Sequence, residues 1–599
     1  MRKNIPSLHF SLHKLWSHIS LKRKWQFIFL LVFVLATSFF EMIGIALVIP
    51  FLAVLSSPNQ IMEDPYALPL IEAFGITSVD QLILYLTLSF ATLTVLAGLL
   101  RIILLKLTIR LSFATGADLS HGIYKKTLYQ PYLLHTSRNS SELINAISVS
   151  TNSVINFIIV PILVLISSTI MLVLIMGGFI FYKPFAACFL IVTLSLIYGI
   201  IIKTSQSKIS FYSEQISIES LSIIKALQEG LGAIRDTLLD GSQKIYIDKH
   251  IIATQRMYDA QGALQFIGQS PRFIFEMLGA LLIIILGYTF AKTEGGLVGA
   301  IPFLGALALG FQKMIPITHQ AYHSWSSVRG YKSTLEEVLN LMDQPDPELK
   351  DNQLKKPILF SNMIQLKNLS FRYQSNSSWT LRNINIDITK GSCIGIVGKS
   401  GSGKSTFIDL LMALLSPSEG MLIVDGQEIN FENAQSWQKN IAHVSQTIFL
   451  ADASIEENIA FGVPKNLINT RRVRIAAKKA KISDTIKGWP EQYKTMLGER
   501  GVRLSGGQRQ RIGIARALYK EANIIVFDEA TNSLDKDTET LVMESIAELN
   551  KNLTLIIVAH NISTLRDCSQ IIELSNGKVK RIVSYVEIID KPPAGNEDL

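Results

Sequence analysis

Six apolar segments, each long enough to cross a lipid bilayer, precede Pro345 in this sequence. They lie at about 25–55, 82–112, 142–182, 184–205, 262–291 and 296–320. A bilayer core about 30 Å thick takes about 20 apolar residues in a helix, and a helix satisfies its own backbone hydrogen bonds in hydrocarbon. The first part of the chain is therefore predicted to be an all-α, six-helix transmembrane domain.

The second part of the chain has the composition and the periodicity of a soluble domain. The 599 residues are 48% hydrophobic and only 18% charged, less charge than an average soluble domain carries, and the apolar excess lies in the first part. From Ile364 short apolar strands alternate with helices, as in a doubly wound α/β domain. We expect a cytoplasmic N-terminal segment, a transmembrane domain, a linker and the α/β domain at 1–24, 25–341, 342–362 and 363–599.

The distribution of charge predicts which side of the membrane each loop occupies. Lys22, Arg23 and Lys24 precede the first apolar segment, and the polar stretches 113–141 and 206–261 carry further lysines and arginines. The loop 56–80 has acidic residues and no lysine or arginine. Basic loops remain cytoplasmic, so the N-terminus and the α/β domain are predicted to be cytoplasmic. The net charge of +9 is thus explained by topology, and no nucleic-acid partner is expected.

A phosphate-binding loop begins the chemistry of the second part. The stretch "GKSGSGKST" matches G-x-x-x-x-G-K-[ST] between a strand and a helix. Its backbone amides and helix N-terminus suit phosphate oxygens. Lys404 is expected to bridge the β and γ phosphates, and Ser405 to bind Mg²⁺. The candidate nucleotide-binding residues are Gly398, Lys399, Ser400, Gly401, Ser402, Gly403, Lys404, Ser405 and Thr406. A motif of this kind also arises by chance, so the rest of the domain must support it.

Two carboxylates at the end of an apolar strand give that support. The stretch "NIIVFDEAT" ends in Asp528 and Glu529. Asp528 is predicted to bind Mg²⁺, directly or through water, and Glu529 to polarise the attacking water in ATP hydrolysis.

Between these motifs the stretch "LSGGQRQR", Leu504–Arg511, resembles the signature of the ABC transporter family. The resemblance implies roles for several other residues. Tyr373 is similar to the aromatic residue that stacks on adenine, and Gln446 to the residue that touches Mg²⁺ and contacts the membrane domain. Glu499 in "LGERG" resembles an exporter loop. Ser533, Leu534 and Asp535 resemble the D-loop, and His560 the histidine that contacts the γ-phosphate.

In this family the signature loop completes the ATP site of the partner subunit. Ser505, Gly506 and Gly507 are therefore expected to act in trans, and Gln508 of the same motif is a further candidate nucleotide-binding residue. The chain must then dimerise. A homodimer with two competent sites is favoured, and a heterodimer with a degenerate partner stays open. ATP and Mg²⁺ are the expected cofactors.

Six spans followed by one such domain resemble the exporter half-transporters, in which ATP binding and hydrolysis drive alternating access. The resemblance implies coupling helices near 131–141 and 218–232, and a location in the bacterial inner membrane.

Three cations within the apolar segments bear on the cargo. Arg101 lies about 19 residues, or roughly 28 Å of helix, from the outer end of span two, and Arg272 and Lys313 lie at similar depths. Each alone is a candidate interfacial anchor. Together, doubled in a dimer, they are predicted to receive a polyanionic head group.

The first span, "EMIGIALVIPF", is similar to that of bacterial lipid-linked oligosaccharide flippases and related polysaccharide exporters. Flipping of a lipid-linked oligosaccharide, or of a related anionic glycolipid, is therefore the expected function. The alternatives are a lipid A-type exporter, a multidrug exporter and an ATP-gated channel or sensor.

Glu41 lies about 16 residues after Trp25, or roughly 24 Å. Counted in this way it falls in the outer half of the membrane, opposite the three cations. There it is expected either to help release an anionic head group or to fix span one against its neighbours by a hydrogen bond.

Overall fold

The computed structural model describes residues 7–56, 75–182, 184–291, 296–345, 356–374, 376–498, 501–530, 536–547, 553–559 and 561–590. The chain divides into two units. The membrane unit comprises Met1–Gln130 and Arg138–Pro347, and the ATPase unit comprises Pro131–Ser137 and Glu348–Leu599. The segment Pro131–Ser137 thus belongs to the ATPase unit, although the residues on both sides of it in the sequence belong to the membrane unit.

In its described residues the membrane unit is entirely helical. Its α-helices are Leu8–His18, Leu21–Ser56, Val79–Leu128, Ser140–Ile144, Thr151–Val154, Val160–Tyr182, Pro184–Gly232, Ile234–Leu239, Gln243–Ala291, Gly296–Gly330 and Lys332–Met342. Two π-helical segments, Asn145–Ser150 and Ile155–Ile159, join the helices between Ser140 and Tyr182. The predicted all-α domain is confirmed. Its longest helices extend well beyond a bilayer, since the 50 residues of Val79–Leu128 make a rod of roughly 75 Å.

Three stretches in the described part of this unit are long and apolar enough to cross a membrane. They are Leu21–Val48, Val79–Leu128 and Ser140–Gly177. Only 11% of the most apolar window of Val79–Leu128 is buried within the protein. That helix therefore presents most of its apolar surface outward, as a helix surrounded by lipid does.

The ATPase unit is built on two sheets, which confirms the predicted α/β domain. Its strands are β1 (Met363–Phe371), β2 (Leu381–Thr389), β3 (Cys393–Val397), β4 (Glu419–Val424), β5 (Gln427–Ile429), β6 (Ile441–Val444), β7 (Ile524–Asp528), β8 (Thr554–Val558), β9 (Gln570–Ser575) and β10 (Lys578–Val583). Its helices are Tyr132–Ser137, Lys404–Leu411, Ala434–Gln438, Ile455–Ile459, Thr470–Lys479, Ser483–Lys487, Gly506–Lys520, Lys536–Ala547 and Tyr585–Asp590, with 3₁₀ turns at Lys465–Leu467, Gln492–Lys494 and Ile562–Leu565.

The larger sheet has the order β10-β9-β3-β8-β7-β6, and the smaller antiparallel sheet has the order β2-β1-β4-β5. Strands β9, β3, β8, β7 and β6 are mutually parallel. Alternate residues of β7 enter two different cores: Val526 packs in the core shared with β1 and β2, whereas Ile525 and Phe527 pack in the other. Burial on both faces explains why these strands read as continuous apolar runs.

Candidate active site

Three of the predicted motifs meet at one edge of the larger sheet. Strands β3, β8, β7 and β6 are adjacent and parallel, so their carboxyl ends lie side by side. The phosphate-binding loop follows β3, Gln446 follows β6, and Asp528 ends β7 beside Val558 of β8. Ligands of open α/β sheets bind outside the carboxyl ends of the strands. The topology therefore assembles a single site from segments that are far apart in sequence.

The phosphate-binding loop is held in a conformation that requires glycine at Gly403. This residue caps the helix Lys404–Leu411 with φ +100°. A Cβ atom here would lie 2.7 Å from Cδ2 of Leu381 and 3.2 Å from the carbonyl oxygen of Thr380. Both the left-handed backbone and the close approach of β2 exclude a larger residue.

Lys404 is buried and points back over the loop. Its ammonium group donates hydrogen bonds to the carbonyl oxygens of Gly398, at 2.7 Å, and of Lys399, at 3.3 Å. The neighbouring Ser405 is exposed. Lys404 thus crosses the loop that is predicted to hold phosphates, and the Ser405 hydroxyl is accessible to a metal ion.

Gln446 and Glu529 come together across the site. The side-chain amide of Gln446 donates to Oε2 of Glu529 at 2.7 Å. Glu529 has φ +50°, a left-handed conformation that is costly for a residue with a Cβ atom and that active sites use to direct a side chain. The structure therefore fixes the direction of the predicted general base.

Asp528 lies in an environment that favours its neutral form. Burial is the main cause of its raised pKa, the adjacent Glu529 carboxylate adds to the effect, and Lys404 opposes it. Two carboxylates that repel each other at a partly buried edge form a donor set that a divalent cation would stabilise.

Sequence reasoning missed Asp409, which lies in the helix that follows the phosphate-binding loop. Burial, together with the charge of Asp528, raises the pKa of Asp409 to about 6. The position, five residues after Lys404 in "KSTFID", gave no signal, because an aspartate in a helix is ordinarily solvated.

Tyr373 is positioned by two contacts. Its hydroxyl group lies 3.1 Å from the Thr406 hydroxyl, and its ring packs edge-on against Phe371 with 5.0 Å between centroids. Tyr373 as a whole remains 44% exposed. An anchored and accessible aromatic face is suitable for stacking on a base.

The signature loop begins the helix Gly506–Lys520 with a capping box. The amide of Gln508 donates to the Ser505 hydroxyl at 3.3 Å, and the amide of Ser505 donates to Oε1 of Gln508 at 3.0 Å. Ser505 and Gly506 are exposed. Gln508 therefore has a local structural role, and the helix N-terminus is accessible to a ligand from outside the chain.

Three predicted residues, Glu499, Asp535 and His560, lie outside the described residues, as do Ser533 and Leu534. Their assigned roles stay predictions.

Comparison with known proteins supports the reading of both units. The model of the family described as ABC transporter matches residues 381–532. The ATP-dependent lipid A-core flippase of Cupriavidus metallidurans is 26% identical over 496 residues, which cover 80% of this chain and 82% of that protein. The chain is an ABC transporter with a fused exporter-type membrane domain. ATP hydrolysis in the transporter is coupled to transport.

Two further proteins are similar to this chain. The alpha-hemolysin translocation ATP-binding protein HlyB of Escherichia coli is 34% identical to the transporter over 331 residues, which cover 55% of this chain and 45% of that protein. The structure of a bacterial Atm1-family ABC exporter with ATP bound superposes with a TM-score of 0.77, at 21% identity, over 96% of this chain and 98% of that one. This last likeness shows the fold of the whole chain.

The membrane unit of the transporter corrects the predicted position of Glu41. Oε1 of Glu41 lies 3.7 Å from Nη1 of Arg101, so the two residues lie at the same depth. The prediction of opposite depths was wrong because it counted Glu41 from the cytoplasmic end of one helix and Arg101 from the outer end of the next. Helices longer than the bilayer make such counts incomparable.

The structure describes the side chain of Arg272 but not that of Lys313, the other two cations of the prediction. Nε of Arg272 lies 2.7 Å from Oε1 of Glu276, one helical turn away. Lys313 lies in the helix Gly296–Gly330, and its side chain is outside the described part of the structure. Arg101 and Arg272 are therefore each paired with a carboxylate, and the predicted role of the three cations in receiving a polyanionic head group stays a prediction.

One of the two predicted coupling segments belongs to the ATPase unit. The helix Tyr132–Ser137 groups with that unit, and Leu133 packs on the core that contains β1 and β3. Burial, with smaller contributions from Asp409 and Tyr373, raises the pKa of Tyr132. The stretch 218–232 lies in the long helix Pro184–Gly232 of the membrane unit.

Proposed function

We propose that the transporter flips a lipid-linked oligosaccharide, or a related anionic glycolipid, from the inner to the outer leaflet. The observation that carries this proposal is that two arginines, Arg101 and Arg272, lie in apolar segments and that half of each side chain remains exposed. Ionisable residues in membrane spans are costly and commonly mark a substrate pathway.

Each arginine retains hydrogen-bonding capacity beyond its ion pair. A guanidinium group has five N–H donors, and its planar fork matches the geometry of phosphate. Glu41 is far more buried than Arg101, with 13% of its side chain exposed against 50%. Glu41 therefore acts as an anchor that orients Arg101, while the exposed side of the guanidinium group is available to a diphosphate or phosphorylated sugar. This arrangement favours the structural role predicted for Glu41 over a role in cargo release.

The ATPase site supplies the driving force. Lys404 and the phosphate-binding loop bind ATP, Glu529 orients the attacking water, and Tyr373 stacks on adenine. Ser405, Gln446 and Asp528 would hold Mg²⁺, which neutralises phosphate charge when bound. Asp535 and His560 complete the site in this proposal.

The transporter is proposed to act as a homodimer in the bacterial inner membrane, with its N-terminus and ATPase unit in the cytoplasm. Ser505 and Gly506 are exposed at a helix N-terminus, which suits them to the phosphates of a partner's ATP. The lipid A-core flippase of C. metallidurans, to which the chain is similar, supports a lipid cargo. Lipid A-type glycolipids and lipid-linked glycans share a phosphorylated sugar and hydrocarbon chains, the chemistry for which the arginines are suited.

ATPase measurements in proteoliposomes test the proposal. We expect polyprenyl-diphosphate-linked glycans to stimulate hydrolysis severalfold, and Arg101→Gln and Arg272→Gln to lower that stimulation. A preference for lipid A-core would favour the alternative, a lipid A-type exporter. Stimulation by neutral hydrophobic drugs alone would reject an anionic cargo.

Arg256→Gln is the matched control. Arg256 pairs with Glu219 at 3.5 Å, again with an exposed arginine and a mostly buried glutamate, but in the polar stretch 206–261. Because this pair lies outside the predicted spans, its loss should leave lipid stimulation unchanged.

A further inference from the structure

A cavity of about 290 Å³ lies in the membrane unit between the N-terminal helix Leu8–His18 and three longer helices. Fourteen residues line it, and Thr108 is the one polar residue among them. The walls come from Leu8–His18, Leu21–Ser56, Val79–Leu128 and the helical stretch from Ile155 to Tyr182. The cavity has no place in the ATPase site or in the proposed cargo site at Arg101 and Arg272.

The lining determines what can occupy the cavity. A water molecule needs two to four polar partners, and apolar cavities remain dry and bind hydrocarbons instead. A cavity of about 150 Å³ lined by Leu, Ile and Phe holds benzene, and this one is nearly twice as large. It has room for a substantial part of a lipid chain.

The cavity has an apolar mouth and a buried floor. Trp16, Ile28, Leu31 and Ile166 line it and are between 37% and 48% exposed. Leu15, Leu30, Val34 and Ile159 line it and are at most 5% exposed. Because Ile28 and Leu31 belong to the candidate span Leu21–Val48, the medium at this mouth is membrane hydrocarbon.

A positive charge lies beside the mouth. Nζ of Lys24 is 5.8 Å from the centroid of the Trp16 ring, and among the described residues no carboxylate oxygen lies within ion-pair distance of it. Three other nearby basic groups are paired within the protein: Arg23 with Asp118 at 2.8 Å, and Lys14 and His18 with Asp343. Lys24 is thus placed to meet a phosphate at the head-group level while a chain enters the cavity.

We propose that this cavity binds one acyl chain of an anionic phospholipid of the cytoplasmic leaflet, with Lys24 at the phosphate. The acyl chain fills the cavity below the helix Leu8–His18 and thereby contacts both this helix and the spans that the helix covers. The site is independent of which lipid is transported, since it shares no residue with Arg101 or Arg272.

Photolabelling in proteoliposomes tests this site. The probe is phosphatidylglycerol with a diazirine in one acyl chain, and labelled residues are mapped by mass spectrometry. We expect label on Leu30, Val34 and Ile159, which bulk lipid cannot reach, at a level comparable with that on Val32, which is 57% exposed. Label confined to exposed positions such as Val32 would overturn the proposal.

Two filling variants and a matched control make the test independent of any one substitution. Ile162→Trp fills the cavity and Ile166→Trp blocks its mouth, and each should remove floor labelling about tenfold or more. Val173→Trp lies on the same helix as Ile166 at an exposed position and should leave floor labelling unchanged. Equal floor labelling in all three variants would overturn the assignment.

The charge requirement has its own measurement. Lys24→Gln should reduce floor labelling by phosphatidylglycerol about fivefold, the effect of one lysine at an anionic membrane surface. A phosphatidylcholine probe should label the floor weakly in the wild-type protein. Equal labelling by the two lipids would refute the anionic head group.

Discussion

The charged groups of the ATPase unit and those of the membrane unit are organised differently. In the ATPase unit Lys404, Asp528 and Glu529 converge on one edge of a sheet, where the neutral amide of Gln446 bonds Glu529. In the membrane unit Arg101 is paired with Glu41 of the preceding helix. The first arrangement gathers charge to act on a ligand, and the second offsets charge so that it can reside among apolar residues.

The two units differ in how well the position of a residue in the sequence predicts its position in space. Parallel strands that pair in register bring their carboxyl ends to a common edge, so a motif that follows a strand is located as soon as the strand is recognised. Two packed helices can be staggered along their length by many ångströms without losing apolar contact. Their relative depth is therefore decided by packing and by pairs such as Glu41–Arg101.

The largest effect is expected at the general base. Glu529→Gln should retain ATP binding and lower hydrolysis by at least about 100-fold, because the attacking water loses its base. Phosphate release and nucleotide binding measured on the same preparation separate the two steps. Glu521→Gln is the control, since Glu521 also has φ +53° but caps the helix Gly506–Lys520. Its turnover should stay within about twofold, and full turnover in Glu529→Gln would refute the assigned base.

A substitution in the phosphate-binding loop tests whether backbone geometry controls the site. Gly403→Ala should weaken ATP binding by about 30-fold or more, because a left-handed backbone and a Cβ contact each cost about 1–3 kcal/mol. Gly401→Ala is the matched comparison. Gly401 has φ +78° and no atom within 4 Å of the position that a Cβ atom would take, so this substitution introduces only backbone strain. Nucleotide titrations that found the two variants equal would show that the contact with Leu381 is unimportant.

A double-mutant cycle tests the membrane ion pair. Glu41→Gln and Arg101→Gln should each destabilise the protein, and the double variant should be no less stable than the worse single variant. We expect a coupling of about 1.5 kcal/mol in detergent unfolding, near the upper end for polar pairs in membrane proteins. The Glu219–Arg256 pair should couple by about 0.5 kcal/mol, as a more solvated pair does. Additive effects at Glu41 and Arg101 would mean that the pair does not form.

The smallest effect is a pH-dependent change in stability at Asp409. Its folded-state pKa of about 6 lies above the ordinary value, so the folded protein holds the proton more tightly than the unfolded chain. Stability therefore decreases as pH rises from about 4 to 6. Asp409→Asn removes this penalty, and after allowance for solvent screening it should stabilise by about 1 kcal/mol above pH 6 and by almost nothing below pH 4.

Thermal unfolding of the full chain at pH 4 and pH 7.5 measures the Asp409 difference. Asp452→Asn, at an exposed position, should show no gain at either pH. A gain from Asp409→Asn that was equal at both pH values would indicate a packing effect and not a titration.

The cysteines are a further case in which spacing in the sequence does not predict a contact in space. The three cysteines are scattered along the chain, and their spacing predicts neither a disulfide nor a zinc site. In the structure Sγ of Cys393 lies 2.9 Å from Sγ of Cys568, and both residues are free thiols. Strand β3 and the turn before β9 bring them together because β3 and β9 are paired in parallel.

The sequence by itself determined the long apolar helices, the α/β domain and the motifs that line its sheet edge, because these depend on local periodicity and on short backbone geometries. It determined the chemistry expected of Lys404, Asp528 and Glu529 for the same reason. Only the tertiary structure decided the pairing of Glu41 with Arg101, the raised pKa of Asp409 and the cavity beneath the N-terminal helix. Each of these depends on how separate elements pack, and packing is set by the sum of many weak contacts between residues far apart in the chain.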